Sequence, residues 1–125
     1  MATKKTILIA EDEPSLLMVL GDKLSKEGFD ILKAINGQEG LKMALERHPD
    51  LILLDLIMPV MDGVTMLTHL RKDTWGKQAK VIILSNLNDK EKITEAVKEQ
   101  VSIYMIKADL KLADLVKTIQ NIINK

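Results

Sequence analysis

Acidic, hydroxyl and cationic side chains stand directly after four short apolar runs of this chain. The runs are residues 7–10, 51–54, 81–84 and 103–106, and the polar residues that follow them are Glu11 with Asp12, Asp55, Ser85 and Lys107. Carboxylates are hard oxygen ligands for a divalent cation, whereas a hydroxyl and an ammonium donate hydrogen bonds to phosphoryl oxygens. Brought together, these side chains would form a site for metal-dependent phosphoryl chemistry.

The apolar runs predict the strands that must bring these side chains together. Continuous apolar runs of this length, alternating with helical segments, are typical of strands buried on both faces of a parallel sheet. Parallel strands all end at one edge, and ligands bind there, where the strand order reverses. The sequence therefore predicts a doubly wound α/β fold with five parallel strands and five helices, since parallel neighbours require crossover helices.

The predicted elements differ in how much apolar surface they carry. We expect strands at residues 7–10, 29–34, 51–55, 81–84 and 102–106. The last helix has the clearest helical period, with apolar residues recurring from Leu112 to Ile123. In the helical segment at residues 89–98, only Ile93, Ala96 and Val97 are available for burial. We expect this segment to be held most loosely and to be able to move.

Length and composition exclude several classes of protein. The 125 residues suit one domain, and 18 Lys and Arg balance 18 Asp and Glu, so no overall basic field would hold nucleic acid. The chain has no cysteine, which excludes disulfides and thiolate chemistry. No apolar stretch reaches the roughly 18 residues of a membrane span. We expect a soluble, cytoplasmic protein that binds neither nucleic acid nor membrane.

The acidic residues predict a nucleophile and a metal site. Asp55 is the predicted nucleophile, because a carboxylate at a strand end can attack phosphorus in line and form an acyl phosphate. Glu11 and Asp12 repel each other unless a cation lies between them, which predicts Mg²⁺. Asp12 and Asp55 would coordinate the ion directly with the backbone carbonyl of Ile57, and Glu11 would act through a water.

The basic and hydroxyl residues complete the predicted site. Lys107 would place a compact positive charge on the phosphoryl oxygens, and Ser85 would donate its hydroxyl. Each residue alone has an ordinary alternative, since strand-end acids often cap helices or lie in solvated loops. Glu11 and Asp12 would equally suit the start of a helix. It is the combination at four strand ends that favours a phosphoryl site.

Five segments of the chain resemble the response-regulator receiver domain, the chemotaxis-type signalling module. They are ILIAEDEPSLLMVL, GFDILKAINGQEGL, PDLILLDLIMPVMDG, VIILSN and YMIKAD, and the likeness covers essentially the whole chain. The resemblance implies a flavodoxin-like sandwich with strand order 2-1-3-4-5. It also implies a stand-alone receiver domain over residues 1–125, with no effector domain.

The resemblance implies a two-component signalling switch rather than an enzyme with a separate substrate. A histidine kinase or phosphotransfer protein would phosphorylate Asp55 in the presence of Mg²⁺. The implied roles of the other residues are metal binding by Asp12 with Glu11, switch hydroxyl for Ser85, phosphate contact for Lys107 and switch aromatic for Tyr104. On phosphorylation Ser85 would move toward the phosphoryl group and Tyr104 would turn inward. The face of the fourth helix, fifth strand and fifth helix would then change for a downstream target protein.

Several positions depart from the family's pattern. Ala108 follows Lys107 where the family has a proline in a cis bond, and Asn86 stands where a small residue is common. Gln100 lies near the position of the expected helix-ending glycine, which predicts a turn without its left-handed residue.

Two apolar positions bear on the lifetime of a phosphoryl group on Asp55. Ile57 and Leu87 lie two positions after Asp55 and Ser85. Neither side chain can orient a water, so we expect slow self-dephosphorylation.

Three other functions are possible for a chain with these features. A pseudo-receiver, which keeps the fold as an interaction module and takes no phosphate, is favoured only by Asn86 and Ala108. A haloacid-dehalogenase-type phosphatase needs a second acid where this chain has Ile57. A flavin or dinucleotide binder needs a glycine-rich loop after the first strand, where residues 11–13 are all acidic.

Overall fold

Five strands form one parallel sheet at the centre of the protein. A computed structural model describes residues 4–86 and 88–124. The strands are β1 (Thr6–Ala10), β2 (Asp30–Ala34), β3 (Leu51–Asp55), β4 (Val81–Ser85) and β5 (Ile103–Ile106). Their order is β2-β1-β3-β4-β5, and each neighbouring pair is parallel. The predicted fold and strand order are confirmed.

Helices alternate with the strands and cover both faces of the sheet. They are α1 (Pro14–Lys26), α2 (Gly37–Arg47), α3 (Gly63–Lys72), α4 (Lys90–Val97) and α5 (Leu112–Ile123). Short 3₁₀ turns occur at Gly76–Gln78 and Lys107–Asp109. The core between the sheet and α1 with α5 is separate from the core beneath α2, α3 and α4. Within residues 4–86 and 88–124, no helix has the length and apolar character that crossing a membrane requires.

The central strands are buried because helices lie on both of their faces. Every residue of β3 and β4 is buried. Successive side chains alternate between the two cores: Leu53 packs toward α1 and α5, whereas Leu54 packs toward α2 to α4. Burying one such side chain contributes about 1.5–3 kcal/mol. The continuous apolar runs of the sequence therefore correspond to strands of a two-sided core.

The loop after β3 lies close to the end of that strand. Asp62 begins α3 by accepting a hydrogen bond from the Thr65 amide at 2.8 Å. Gly63 follows it, and a Cβ at this position would lie 2.3 Å from the Asp55 carbonyl oxygen. The amide of Gly63 donates to the Leu56 carbonyl at 2.9 Å. Only glycine allows this close approach, which fixes the backbone next to Asp55.

The structure corrects one expectation about backbone conformation and decides a second point that the sequence left open. Gln100 has a φ of +62°, so the turn before β5 does contain a left-handed residue and the contrary expectation is wrong. Its carbonyl oxygen accepts a hydrogen bond from Arg71 Nη2 at 3.0 Å, which helps to hold the conformation. No cis peptide bond occurs among the described residues, so Lys107 and Ala108 are joined by a trans bond.

Strand and helix ends differ from the predicted ones by one or two residues. Strand β2 begins at Asp30 instead of residue 29, because the Phe29 amide donates to the Leu24 carbonyl of α1 at 3.2 Å. Strand β5 begins one residue later than predicted. Helix α4 has Ala96 as its one buried residue, in agreement with the weak apolar pattern of that segment.

Candidate metal and phosphoryl site

The carboxyl edge of the sheet brings the predicted acids together. Ala10 pairs with Leu54, and Asp55 pairs with Leu84, so β1, β3 and β4 end at nearly the same level. Carboxylate oxygens of Glu11, Asp12 and Asp55 lie within 4.8 Å of one another. The predicted convergence of these three acids is therefore observed in the structure.

Lys107 enters this acidic cluster from the end of β5. Its Nζ lies 2.7 Å from Glu11 Oε1 and 3.3 Å from Asp55 Oδ2. The ammonium is thus shared between two carboxylates and is closer to Glu11. The sequence predicted a lysine near the phosphoryl group, but it did not predict Glu11 as the nearer partner.

The three acids differ in their exposure. Glu11 is 1% exposed and Asp55 is 3% exposed, whereas Asp12 is open to solvent. Glu11 is further fixed because its Oε2 accepts a hydrogen bond from the Glu13 amide at 3.1 Å. Asp55 Oδ1 accepts from the Ile57 amide at 3.3 Å. The site therefore has a buried, hydrogen-bonded floor and one exposed acid at its rim.

Burial and charge shift the titration of the central pair. The pKa of Asp55 is raised to about 7, mainly because the carboxyl is buried and next because Glu11 is negatively charged. Lys107 opposes this rise without cancelling it. Burial alone would lower the pKa of Lys107, but its hydrogen bond to Glu11 and the charge of Asp55 raise it. The cluster thus holds more negative charge than one ammonium compensates.

Ser85 ends β4 beside this cluster. The residue is fully buried, and its Oγ has no hydrogen-bond partner within residues 4–86 and 88–124. A buried hydroxyl without a partner costs about 1–3 kcal/mol. This cost would be relieved by an acceptor, such as a phosphoryl oxygen, placed within reach of Oγ.

The other predicted residues lie around the site or farther along β5. The Ile57 side chain is exposed, and the amide of Asn86 donates to Asp89 Oδ2 at 3.1 Å. Leu87, the second residue in the prediction of slow dephosphorylation, lies outside the described residues. The Tyr104 side chain is 49% exposed on the outer part of β5.

The donor set of the cluster fits a small divalent cation. All its charged ligand atoms are carboxylate oxygens, which Mg²⁺ prefers. Three carboxylates share one nearby ammonium, that of Lys107, so the cluster carries negative charge that a cation would neutralise. The exposure of Asp12 leaves one side open for the waters that Mg²⁺ usually keeps. The residues present therefore fit the ion that the sequence predicted.

Comparisons of the sequence and of the fold with known proteins agree on one family. The family model described as response regulator receiver domain matches residues 7–120. The transcriptional regulatory protein SrrA of Staphylococcus aureus is 36% identical over 101 residues, which are 81% of this chain and 41% of SrrA. More generally, the chain spans about a third of the length of the curated regulators that it matches.

Solved structures share the fold across almost the whole chain. The chemotaxis response regulator CheY4 of Vibrio cholerae has a TM-score of 0.87 and 25% identity, covering 96% of this chain and 99% of CheY4. The receiver domain of the sensor histidine kinase PA1611 from Pseudomonas aeruginosa has a TM-score of 0.90 and 24% identity, covering 98% of this chain and all of that domain. In that protein a magnesium ion is coordinated in the active-site cleft. Since the family model matches nearly its full length, this chain belongs to the response regulator receiver domain family, whose general function is that of a phosphorylation-dependent switch in two-component systems.

Proposed function

We propose that Asp55 is the phosphoacceptor of this receiver domain and that a histidine kinase or phosphotransfer protein is the donor. The observation that carries the proposal is the position of the Asp55 carboxylate. It lies at the end of β3 among two other acids, with the Lys107 ammonium 3.3 Å away. A nucleophilic oxygen with a cation beside it is the arrangement that phosphoryl transfer needs.

In the proposed reaction, an Asp55 carboxylate oxygen attacks phosphorus in line. The oxygen–phosphorus bond forms as the bond from phosphorus to the donor's imidazole nitrogen breaks, and the imidazole leaves with that electron pair. Asp12, Asp55 and the Ile57 carbonyl would hold Mg²⁺, with Glu11 acting through a water. When bound, the ion supplies positive charge that offsets the carboxylates and the incoming phosphoryl group.

Lys107 and Ser85 would bind the phosphoryl group once it is attached. Lys107 is already 3.3 Å from Asp55 Oδ2, so a small movement away from Glu11 would bring it to a phosphoryl oxygen. Ser85 Oγ is buried, without a hydrogen-bond partner among the described residues, and would donate to another phosphoryl oxygen. Binding the phosphoryl group would therefore draw the end of β4 toward Asp55.

The proposed output surface consists of α4, β5 and α5. A cavity of about 360 Å³ lies beside Tyr104 and is lined by Lys90, Ile93, Thr94, Tyr104 and Ile106. The exposed Tyr104 ring has space to turn toward this cavity when Ser85 moves. A downstream target protein would recognise the changed face, and the balanced overall charge does not favour nucleic acid as a ligand.

Phosphorylation in vitro tests the proposal directly. We expect incubation with acetyl phosphate and Mg²⁺ to add the mass of one phosphoryl group, and Asp55→Asn to abolish the adduct. Asp109→Asn, which changes an acid in the turn after β5, is the matched control and should retain the adduct. Absence of any adduct on the wild-type protein would favour the pseudo-receiver.

The lifetime of the phosphoryl group is the second expected property. We expect slow self-dephosphorylation, because the exposed side chain two residues after Asp55 is Ile57 and cannot orient a water. Ile57→Asn would supply a polar group and should shorten the lifetime several-fold, whereas Ile57→Val should not. The decay of the adduct by intact mass measures both. A wild-type lifetime of only seconds would contradict this expectation.

A further inference from the structure

Arg71 joins three segments of the protein through backbone carbonyl groups. The residue lies near the end of α3 and is half-buried. Its Nη1 donates to the carbonyls of Gly76 and Ala79 at 2.6 and 2.8 Å. Its Nε donates to the Glu99 carbonyl at 2.7 Å, and its Nη2 donates to the Gln100 carbonyl at 3.0 Å. One side chain thus connects α3, the segment before β4 and the turn after α4.

Two of these hydrogen bonds hold the turn that follows the carboxyl-terminal end of α4, because Glu99 and Gln100 come directly after the helix and its Lys98 cap. The amides of the same two residues donate to the Ala96 and Val97 carbonyls at 2.9 and 3.1 Å, so this turn is joined to the last turn of the helix and satisfies carbonyls that lack intrahelical partners. Hydrogen bonds from a charged donor are about twice as strong as neutral ones. The only buried residue of α4, Ala96, also lies near this end. Packing and charged hydrogen bonds therefore coincide at one end of the helix.

The amino-terminal end of α4 is held more weakly. Among the described residues, the side chain of Asp89, which precedes the helix, accepts a hydrogen bond from the Asn86 amide in the loop and caps no amide of α4. Lys92 Nζ lies 3.5 Å from Asp62 Oδ2, but both side chains are partly open to solvent. An exposed ion pair of this kind contributes little to stability. This weakly held end is also the one that follows β4 and Ser85 along the chain.

We propose that Arg71 is a positioning residue that clamps the carboxyl-terminal end of α4, so that phosphorylation displaces the amino-terminal end about this fixed point. The inference rests on the proposed function, since phosphorylation supplies the displacement through Ser85. Lys90, Ile93 and Thr94 line the cavity beside Tyr104 and lie on the moving side. The hydrogen bonds of Arg71 therefore confine the displacement of α4 to the part of the output surface next to Tyr104. The turn at Glu99 and Gln100 stays in place.

Amide hydrogen exchange measured by NMR tests the clamp in the unactivated protein. The Ile93 amide donates to the Asp89 carbonyl at 2.9 Å, and the Gln100 amide donates to the Val97 carbonyl at 3.1 Å, so they report on opposite ends. We expect Arg71→Lys to speed exchange at Gln100 by roughly tenfold and to change Ile93 less than about twofold. The lysine keeps the charge but cannot span several carbonyls. Lys72→Gln, which changes the exposed neighbour, should alter neither amide.

Activation with beryllofluoride and Mg²⁺ tests the direction of movement. In the wild-type protein we expect chemical-shift and exchange changes at Ile93 and much smaller ones at Gln100. In Arg71→Lys, the chemical-shift and exchange changes caused by activation should extend to Gln100. If Arg71 only supported global stability, the variant would show the same distribution of changes along α4 as the wild type. Equal changes at both ends of wild-type α4 would overturn the proposal, as would unchanged Gln100 exchange in Arg71→Lys.

The two proposals can fail separately. If acetyl phosphate gave no adduct on Asp55, the proposed function would fail, but exchange in the unactivated variants would still decide whether Arg71 holds α4. If Arg71→Lys did not fold, the wild-type comparison between free and activated protein would decide the direction of movement.

Discussion

Val60 is the residue whose backbone conformation suits its side chain least. It has a φ of +69°, and its β-branched side chain is 76% exposed, so packing does not compensate for the conformation. The Met61 amide donates to the Pro59 carbonyl at 2.7 Å and closes a tight turn around it. A β-branched residue in the left-handed region costs about 1–2 kcal/mol. The strained residue lies in the loop that also positions Ile57.

Replacing Val60 should therefore stabilise the protein. We expect Val60→Asn to raise the free energy of unfolding by about 1 kcal/mol, because asparagine tolerates a positive φ. Val60→Ala is the matched control and should gain less, since alanine keeps a Cβ and has no such tolerance. Urea unfolding measures the difference. A lower stability in Val60→Asn would show that the valine side chain makes a contribution beyond its backbone strain.

Asp62 combines a helix cap with a titratable charge. Burial would raise the pKa of Asp62, but hydrogen bonds from Thr65 and the nearby charge of Lys92 hold it below its ordinary value. A lowered pKa in the folded state means that the charge contributes stability above the pKa of the unfolded chain. That contribution is lost as the pH falls below about 4, through the folded-state pKa.

Two substitutions separate the cap from the charge. We expect Asp62→Ala to lower the free energy of unfolding by about 1 kcal/mol at neutral pH. Asp62→Asn should lose less, because an amide oxygen still accepts from the Thr65 amide. The difference in the free energy of unfolding between the wild type and Asp62→Asn should shrink as the pH falls and Asp62 becomes protonated. A difference that stayed constant from pH 7 to pH 3 would exclude the charge as its source.

At the scale of elements, burial is distributed unevenly among the helices. Helix α5 buries four residues, Leu115, Val116, Ile119 and Ile123, whereas α4 buries only Ala96. A helix with little buried apolar surface opens or shifts at low free-energy cost. We therefore expect α4, the helix that follows Ser85 in the chain, to be the helix that moves most easily. This uneven anchoring is what a switch requires, since two arrangements of one element must be close in energy.

The start of α3 is fitted against the end of β3 with no space for a side chain. We expect Gly63→Ala to destabilise the protein by about 2 kcal/mol or more, because the added Cβ would lie 2.3 Å from the Asp55 carbonyl oxygen. Displacing the loop should also weaken Mg²⁺ binding, since the Ile57 carbonyl would move. Urea unfolding and Mg²⁺ titration measure the two effects. Gly28→Ala, also at a glycine but remote from the site, should affect only stability.

At the scale of the whole molecule, the same buried negative charge that limits stability forms the proposed metal site. The fold holds Glu11 and Asp55 almost fully buried beside one ammonium. A cation that binds only the folded state stabilises it by mass action, by about 2.7 kcal/mol at 100 times its dissociation constant. Binding of a metal ion to this cluster would therefore be coupled to folding.

Removing divalent ions should lower the thermal stability of the protein. We expect Mg²⁺ at saturating concentration to raise the melting temperature relative to a chelator, because it neutralises the acidic cluster. Asp12→Asn should reduce this increase strongly, whereas Asp22→Asn, in the exposed face of α1, should not. Thermal unfolding followed by circular dichroism measures the shift. Equal melting temperatures with Mg²⁺ and with chelator would contradict the proposed ion.

The sequence by itself determined the sheet, the alternation of elements and the residues that meet at its carboxyl edge. These features follow from local patterns, since a buried strand requires a continuous apolar run and Asp55 or Ser85 must lie where such a run ends. The weak apolar pattern of α4 was equally visible, because only a few of its residues can face a core. Element ends were less certain, because single hydrogen bonds such as that of Phe29 decide them.

Only the tertiary structure decided which distant groups are paired. Lys107 lies closer to Glu11 than to Asp55, Arg71 holds the left-handed Gln100, and His48 stacks on Trp75 with ring centroids 4.3 Å apart. Each pair joins residues that are far apart in the chain, so no periodicity or local motif in the sequence indicates the contact. The physical reason is that such contacts depend on the relative placement of packed elements, which the apolar pattern of each element does not contain.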